Sequence, residues 1–313
     1  MGAGVWGAEY GCGGAVVKEA GVEGPDADIA YCTRLVREFD RDRYIAGLFA
    51  PAPVRGALMA LHAFNIEVSR VREAITNPLA GEVRLQWWSD ALIGDARGDV
   101  KANPVAAALI DAINRHSLPR PAFFALIDAR IFDLYDDPMP SVNDLEGYAG
   151  ETSSALIRLA TLVLTGAAPG RGGERALADA AGHAGVAYAV TGLLRAFPHH
   201  ARRGQCYVPL DLLKAHGVGP EAALSGPATP GLVAALADLR NLARRHYEQA
   251  MAALAGVDPA NYPAFLPLAL VPGDLARMAG AHDPFTQVPA VSAPGRIWLM
   301  WRASRRFGAT AGA

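Results

Sequence analysis

The residues best suited to chemistry lie between Gly182 and Pro209. From Asp179 to Asp211 there is no Asp or Glu, yet this run holds His183, Arg195, His199, His200, Arg202 and Arg203, with Tyr207 close behind. A buried apolar helix that leaves through a purely cationic loop offers guanidinium forks to an anion, because Arg matches phosphate and carboxylate oxygens in pairs. Arg195, Arg202, Arg203 and Tyr207 are the candidate anion ligands. The plainer reading is a solvated basic loop after a core helix. A second charged stretch, His62 to Glu73, places Glu67, Arg70 and Glu73 three residues apart. That spacing suits surface ion pairs on a helix, worth a few tenths of a kcal/mol. Trp87 and Trp88 read as core, and the His199–His200 pair reads as an exposed loop pair.

These residues are carried by helices. Pro opens or ends several apolar runs, Ser141 caps another, and strand-type alternation is nearly absent, so the chain is expected to be all-α. Helices are expected at 28–38, 40–49, 53–76, 82–93, 104–115 and 121–135, and one from Ser141 to Leu164 opened by a near capping box. A Gly/Pro-rich loop follows at 166–173. Further helices are expected at 174–197, 210–216, 230–255, 262–279 and 296–307. About ten helices should enclose one main core. Residues 1–25 are Gly-rich and lack the basic start and apolar run of a secretory signal, so they read as a disordered leader, with 26–308 as the folded domain and 309–313 as a tail.

Composition excludes several classes. The 313 residues are 51% hydrophobic, enough for a large core, and the formal charge of −2 gives no net attraction to nucleic acid. Cys12, Cys32 and Cys206 form no CxxC pair, so neither a disulfide framework nor a zinc site is expected. No apolar run is long enough to span a bilayer. Near the C-terminus, RIWLMWRASRR at 296–306 mixes Trp and Arg. Such a helix suits either a membrane interface or a docked terminal helix.

The frame of both charged stretches resembles the squalene/phytoene synthase family. The second family signature is met by Gly185, Ala187, Arg195, Gly204, Tyr207 and Pro209. Its Gln and Asn fall on Ala189 and Gly192, its two Asp on Ala196 and His200, and its last Arg on Gln205. The first signature is met by Ala63 and Phe64, while Ile66 stands for its Arg and Ser69, Arg70 and Glu73 for its three Asp. The resemblance spans about residues 28–280 and implies an isoprenoid synthase fold, a single helical domain around a central cavity. Family members join two allylic diphosphates, and the leaving diphosphate needs divalent metals held by carboxylates from two helices. Only Glu73 survives here, so no metal site and no cofactor are expected; Mg²⁺ would be needed only for a transferase.

The strings YCTRLVREFDRDRY, AFNIEV (with Asn65), RLQWW, LRAFPHHARRGQCYVP and LKAHGV resemble the family's non-catalytic branch, an assembly factor for respiratory complex I. That resemblance implies a cytoplasmic protein, peripheral on the inner face of the membrane. Its expected partners are a subunit of the NADH:quinone oxidoreductase or a lipid-like ligand. The alternative is a divergent prenyl diphosphate transferase of isoprenoid (terpenoid) biosynthesis.

Overall fold

The computed structural model describes residues 24–165 and 173–309, with side chains through 305; residues 166–172 of the expected loop and nearly all of the leader lie outside the described residues. Among the described residues there is no strand. The helices are α1 (Pro25–Phe39), α2 (Arg41–Gly47), α3 (Ala52–Ser69), α4 (Pro78–Ile93), α5 (Pro104–His116), α6 (Arg120–Ile131), α7 (Val142–Ala149) and α8 (Ala155–Thr165). They are followed by α9 (Glu174–Arg195), α10 (Phe197–Arg202), α11 (Leu210–Ala215), α12 (Pro230–Leu254), α13 (Tyr262–Phe265), α14 (Val271–Met278) and α15 (Ala293–Ala309).

Local chemistry sets the starts. Side chains of Asn77, Asn103, Ser141 and Thr229 accept from backbone N–H groups of the first turns of α4, α5, α7 and α12. Those orphan donors would otherwise lose a partner, and a Pro at the first helical position costs nothing there.

Several expected helices are interrupted. The run at 53–76 stops at Ser69, and a 3₁₀ turn, Val71–Ala74, replaces its end. The run from Ser141 to Leu164 is two helices separated by a π turn, Gly150–Ser154. The cause lies opposite, on α9. A Cβ at Gly185 would come 2.1 Å from Ser154 Oγ and 2.4 Å from its backbone N. Ser154 Oγ also donates to the Gly182 carbonyl at 2.8 Å. The extra residue of the π turn is seated against the glycine, so backbone meets backbone. The run at 262–279 is split into α13, a 3₁₀ stretch and α14, with Pro267 and Pro272 at the joints.

The expected single core is two large clusters that meet at α8. One is built on Phe64, Leu85, Leu109, Phe123 and Leu126 of the N-terminal helices. The other is built on α9 and α12, with Ala184, Ala187, Leu239 and Leu242. Ile157 of α8 faces the second cluster, while Leu156, Leu159 and Val163 face the first. Small residues on α9 let α12 approach closely. Trp88 is buried edge-on against Phe64 at 5.1 Å, as the core reading of that pair expects.

Candidate functional site

The break at Ser69 turns the end of the α3 segment over a cleft of about 200 Å³. One wall carries Ser69, Arg72 and Glu73; the facing wall, from α10 to the loop at Tyr207, carries His199, His200, Arg203 and Tyr207. Glu73 is held twice. Its carboxylate accepts from Arg70 at 2.8 Å on its own wall and lies 3.6 Å from Arg203 on the other. An ion pair therefore spans the cleft. Arg70 is also stacked on Phe39, its guanidinium carbon 3.8 Å from the ring centre. Ser69 Oγ turns back to the Ile66 carbonyl at 3.2 Å.

The floor is a buried hydrogen-bonded network around Asp133. Tyr207 donates to it at 2.6 Å, Tyr148 at 2.9 Å, and Arg130 Nη1 at 3.0 Å. Arg130 Nη2 reaches Asn65 at 3.4 Å, and Gln205 donates to the Asp133 carbonyl at 3.0 Å. Every carboxylate oxygen of Asp133 is thus used. Burial first, then the Asp133 charge, hold the Tyr207 phenol far above its ordinary pKa. Tyr148 is raised as well, by burial against the opposing pull of Arg130. Both phenols are neutral donors at any ordinary pH. His200 packs edge-on to Tyr207 at 4.6 Å, and its Nδ1 is buried without a protein partner. Burial and the neighbouring His199 and Arg203 pull its pKa down to about 4, so it is a neutral imidazole.

The anticipated basic loop is in part a short helix, α10, and His200 is not an exposed loop residue. Of the anticipated anion ligands, Arg203 and Tyr207 line the cleft. Tyr207 already gives its proton to Asp133. Arg202 is exposed and does not line the cleft. Ala196 lies at the joint between α9 and α10. Arg195 points elsewhere, into a second charged cluster. There Asp274 takes Arg195 at 3.3 Å and Arg296 at 3.0 Å, and Asp42 takes Arg296 Nε at 2.8 Å and also its Nη2. Asp274 further accepts the Val291 backbone N–H at 2.7 Å. This cluster ties α2, α9, α14 and α15 together.

Sequence reasoning missed Arg130 and Asp133. Their signal was a buried-type helix end carrying an Arg and an Asp three residues apart, a spacing that reads equally as a surface pair. It also missed Asp42 and Asp274 as anchors, although Asp42 lies inside DRDRY.

The residues present do not fit a magnesium cluster. Glu73 is neutralised by two guanidiniums, Asp133 has no free oxygen, and the α9–α10 wall offers no carboxylate. Among the described residues no group of three His, Cys, Asp or Glu could hold a metal ion. Behind the cleft, an apolar pocket shares Leu193, His200, Gln205 and Tyr207 with it, but its roughly 10 Å³ admits about one water.

Three comparisons place this architecture. A solved dehydrosqualene synthase in complex with ligand superposes with a TM-score of 0.68 at 18% identity, covering 91% of this chain and 98% of that one, which is a likeness of fold. The rat protein named NADH dehydrogenase (ubiquinone) complex I, assembly factor 6 is 32% identical over 243 residues, 77% of this chain and 71% of the relative. A phytoene synthase of Thermus thermophilus is 28% identical over 226 residues, 71% of this chain and 73% of the relative. The family description Squalene/phytoene synthase matches residues 36–296, and the chain belongs to that family.

Proposed function

We propose that this protein is a non-catalytic member of its family that acts in the assembly of respiratory complex I. The observation that carries the reading is the Glu73–Arg203 ion pair across the cleft. Where carboxylates from two walls would have to converge on metal, one wall offers an acid already paired and the other offers Arg. Binding metal there would require breaking two ion pairs and bringing a dication beside Arg70 and Arg203, which Coulomb repulsion opposes. The space agrees. Pockets for ligands of drug size occupy about 300–1,000 Å³, and joining two prenyl chains needs room for two such ligands; the cleft has about 200 Å³. The relatives named as assembly factors support the positive half of the proposal.

The cleft keeps a use on this reading. Arg203, with Arg72 beside it on the cleft wall, suits a small anion or an anionic head group, held without turnover. No metal or cofactor takes part. Partners are a subunit of complex I or a lipid-like molecule, and the protein works as a peripheral component on the inner face of the membrane. Among the described residues, no helix is long and apolar enough to cross a membrane.

The test has two parts. Cells lacking the chain should lose assembled NADH:quinone oxidoreductase, read by in-gel activity. The purified protein, given farnesyl or geranylgeranyl diphosphate with Mg²⁺, should release no pyrophosphate. Presqualene or prephytoene diphosphate formed at enzymatic rates would overturn the reading in favour of the transferase.

A further inference from the structure

We propose that the outward face of α15 is a docking surface for an anionic lipid bilayer. This deepens the peripheral-membrane reading above and rests on it. The helix has two opposed faces. Arg296, Met300 and Ala303 point inward: Arg296 is engaged by Asp42 and Asp274, Met300 is fully buried, and Ala303 packs against the small cluster that contains Met300, Leu266 and Leu270. Trp298, Trp301, Arg302 and Arg305 follow the i, i+3, i+4, i+7 spacing of a single face on the other side. Trp298 is 52% exposed and Trp301 49%, with Ile297 at 45% beside them.

The aromatic and basic groups are coupled. The Arg302 guanidinium lies 5.2 Å from the Trp298 ring and that of Arg305 5.8 Å from Trp301. Each indole thus carries a cation at its own depth, the combination that suits the boundary between lipid head groups and acyl chains. Residues 293–309 contain no Asp or Glu, so nothing on the helix repels anionic lipid. The whole chain has a net charge of −2, so general attraction is absent and the local patch must supply it. The inward ion pairs fix the orientation: with Arg296 clamped, α15 lies flat on the body and offers its outer side.

Flotation of the full chain with vesicles tests this. The protein should float with phosphatidylcholine vesicles that contain phosphatidylglycerol and remain behind with phosphatidylcholine alone, and salt should reverse the binding. R302E/R305E should weaken the partition on the order of 10-fold or more, and W298A/W301A by a similar factor, both with unchanged helical content because these side chains are exposed. Absence of binding by the unmodified chain at low salt would overturn the proposal. So would binding that neither variant weakens, or a self-association that both variants abolish in place of vesicle binding. Complex I assembly in cells is read separately. Vesicle binding that follows the variants while deletion of the chain leaves assembly intact upholds the docking surface and overturns only the assembly reading.

Discussion

The two charged clusters of this protein are built from the same residue types and do opposite things. The Asp42–Asp274–Arg195–Arg296 cluster is closed: Asp274 is 1% exposed, and its carboxylate takes two guanidiniums and a backbone N–H. The Glu73–Arg70–Arg203 cluster is open, with side chains about a third exposed, and it lines a cleft. Burial multiplies the cost of an unpaired charge, and exposure lets water share it. The first cluster is therefore a structural tie. The second is an electrostatic setting of the cleft, changed at little cost to the fold. The family's motif Arg, Arg195, belongs to the tie, and the non-motif Arg203 belongs to the cleft.

The sharpest way to break the comparison is Asp274→Ala. It leaves Arg296 and Arg195 with one carboxylate between them and a backbone donor unpaired. Loss of about 3–5 kcal/mol is expected, as for other buried pairs deprived of one partner. Urea unfolding measures it, and a loss below about 1 kcal/mol would mean that the cluster behaves as a surface pair.

The next effect is one of pH. Burial depresses His200 from an ordinary 6.5 to about 4, and it depresses His62, which also faces Arg43, to about 3. The unfolded chain then binds protons that the folded one refuses. Stability is full above pH 6.5 and falls as pH drops toward 4, by up to about 1.4 kcal/mol per pH unit for each such group. His200→Gln should flatten the slope between pH 6.5 and 5 in urea midpoints; an unaltered slope would assign the whole dependence elsewhere.

The smallest effect on stability and the most informative one on function is Glu73→Gln. The exposed pairs it removes are worth under about 1 kcal/mol. Arg203 and Arg70 are released, so pyrophosphate binding measured by calorimetry should tighten several-fold. Weaker or unchanged binding would show that the cleft is not set by this pair.

Much of the fold was legible because its signals are local. Pro104, Ser141 and Pro230 each mark a helix start, and each helix begins at or beside that residue, whereas α4 begins at Pro78, four residues before the expected 82. The breaks were not legible. The π turn at Gly150–Ser154 faces a contact across the molecule, with Gly185, and an uninterrupted apolar period gives no hint of it or of the end of α3 at Ser69. At the site, the spacing of Arg70 and Glu73 disclosed their pair, since it lies within one helical turn. Arg203 to Glu73 and Arg296 to Asp42 are long-range partners, and spacing says nothing about such pairs. Of the matching frame, Tyr207 lies on one wall of the cleft while Gly185 seats on Ser154 away from it, so the frame left open which side chains turn into the cleft.

The seat of Gly185 against Ser154 has a mechanical consequence. A helix that packs through side chains can slide a little, because rotamers absorb the shift. One that rests backbone on backbone at a single notch cannot. α9 is thereby indexed along its own axis, as a shaft is by a key, and with it the height at which α10 begins. Compliance between the walls is left to the turn after α10, where Gly204 takes a φ of +75° that few other residues adopt. Adding one methyl group at position 185 would force α9 and the turn at Ser154 apart, while substitutions at the rim of the cleft would not touch that seat.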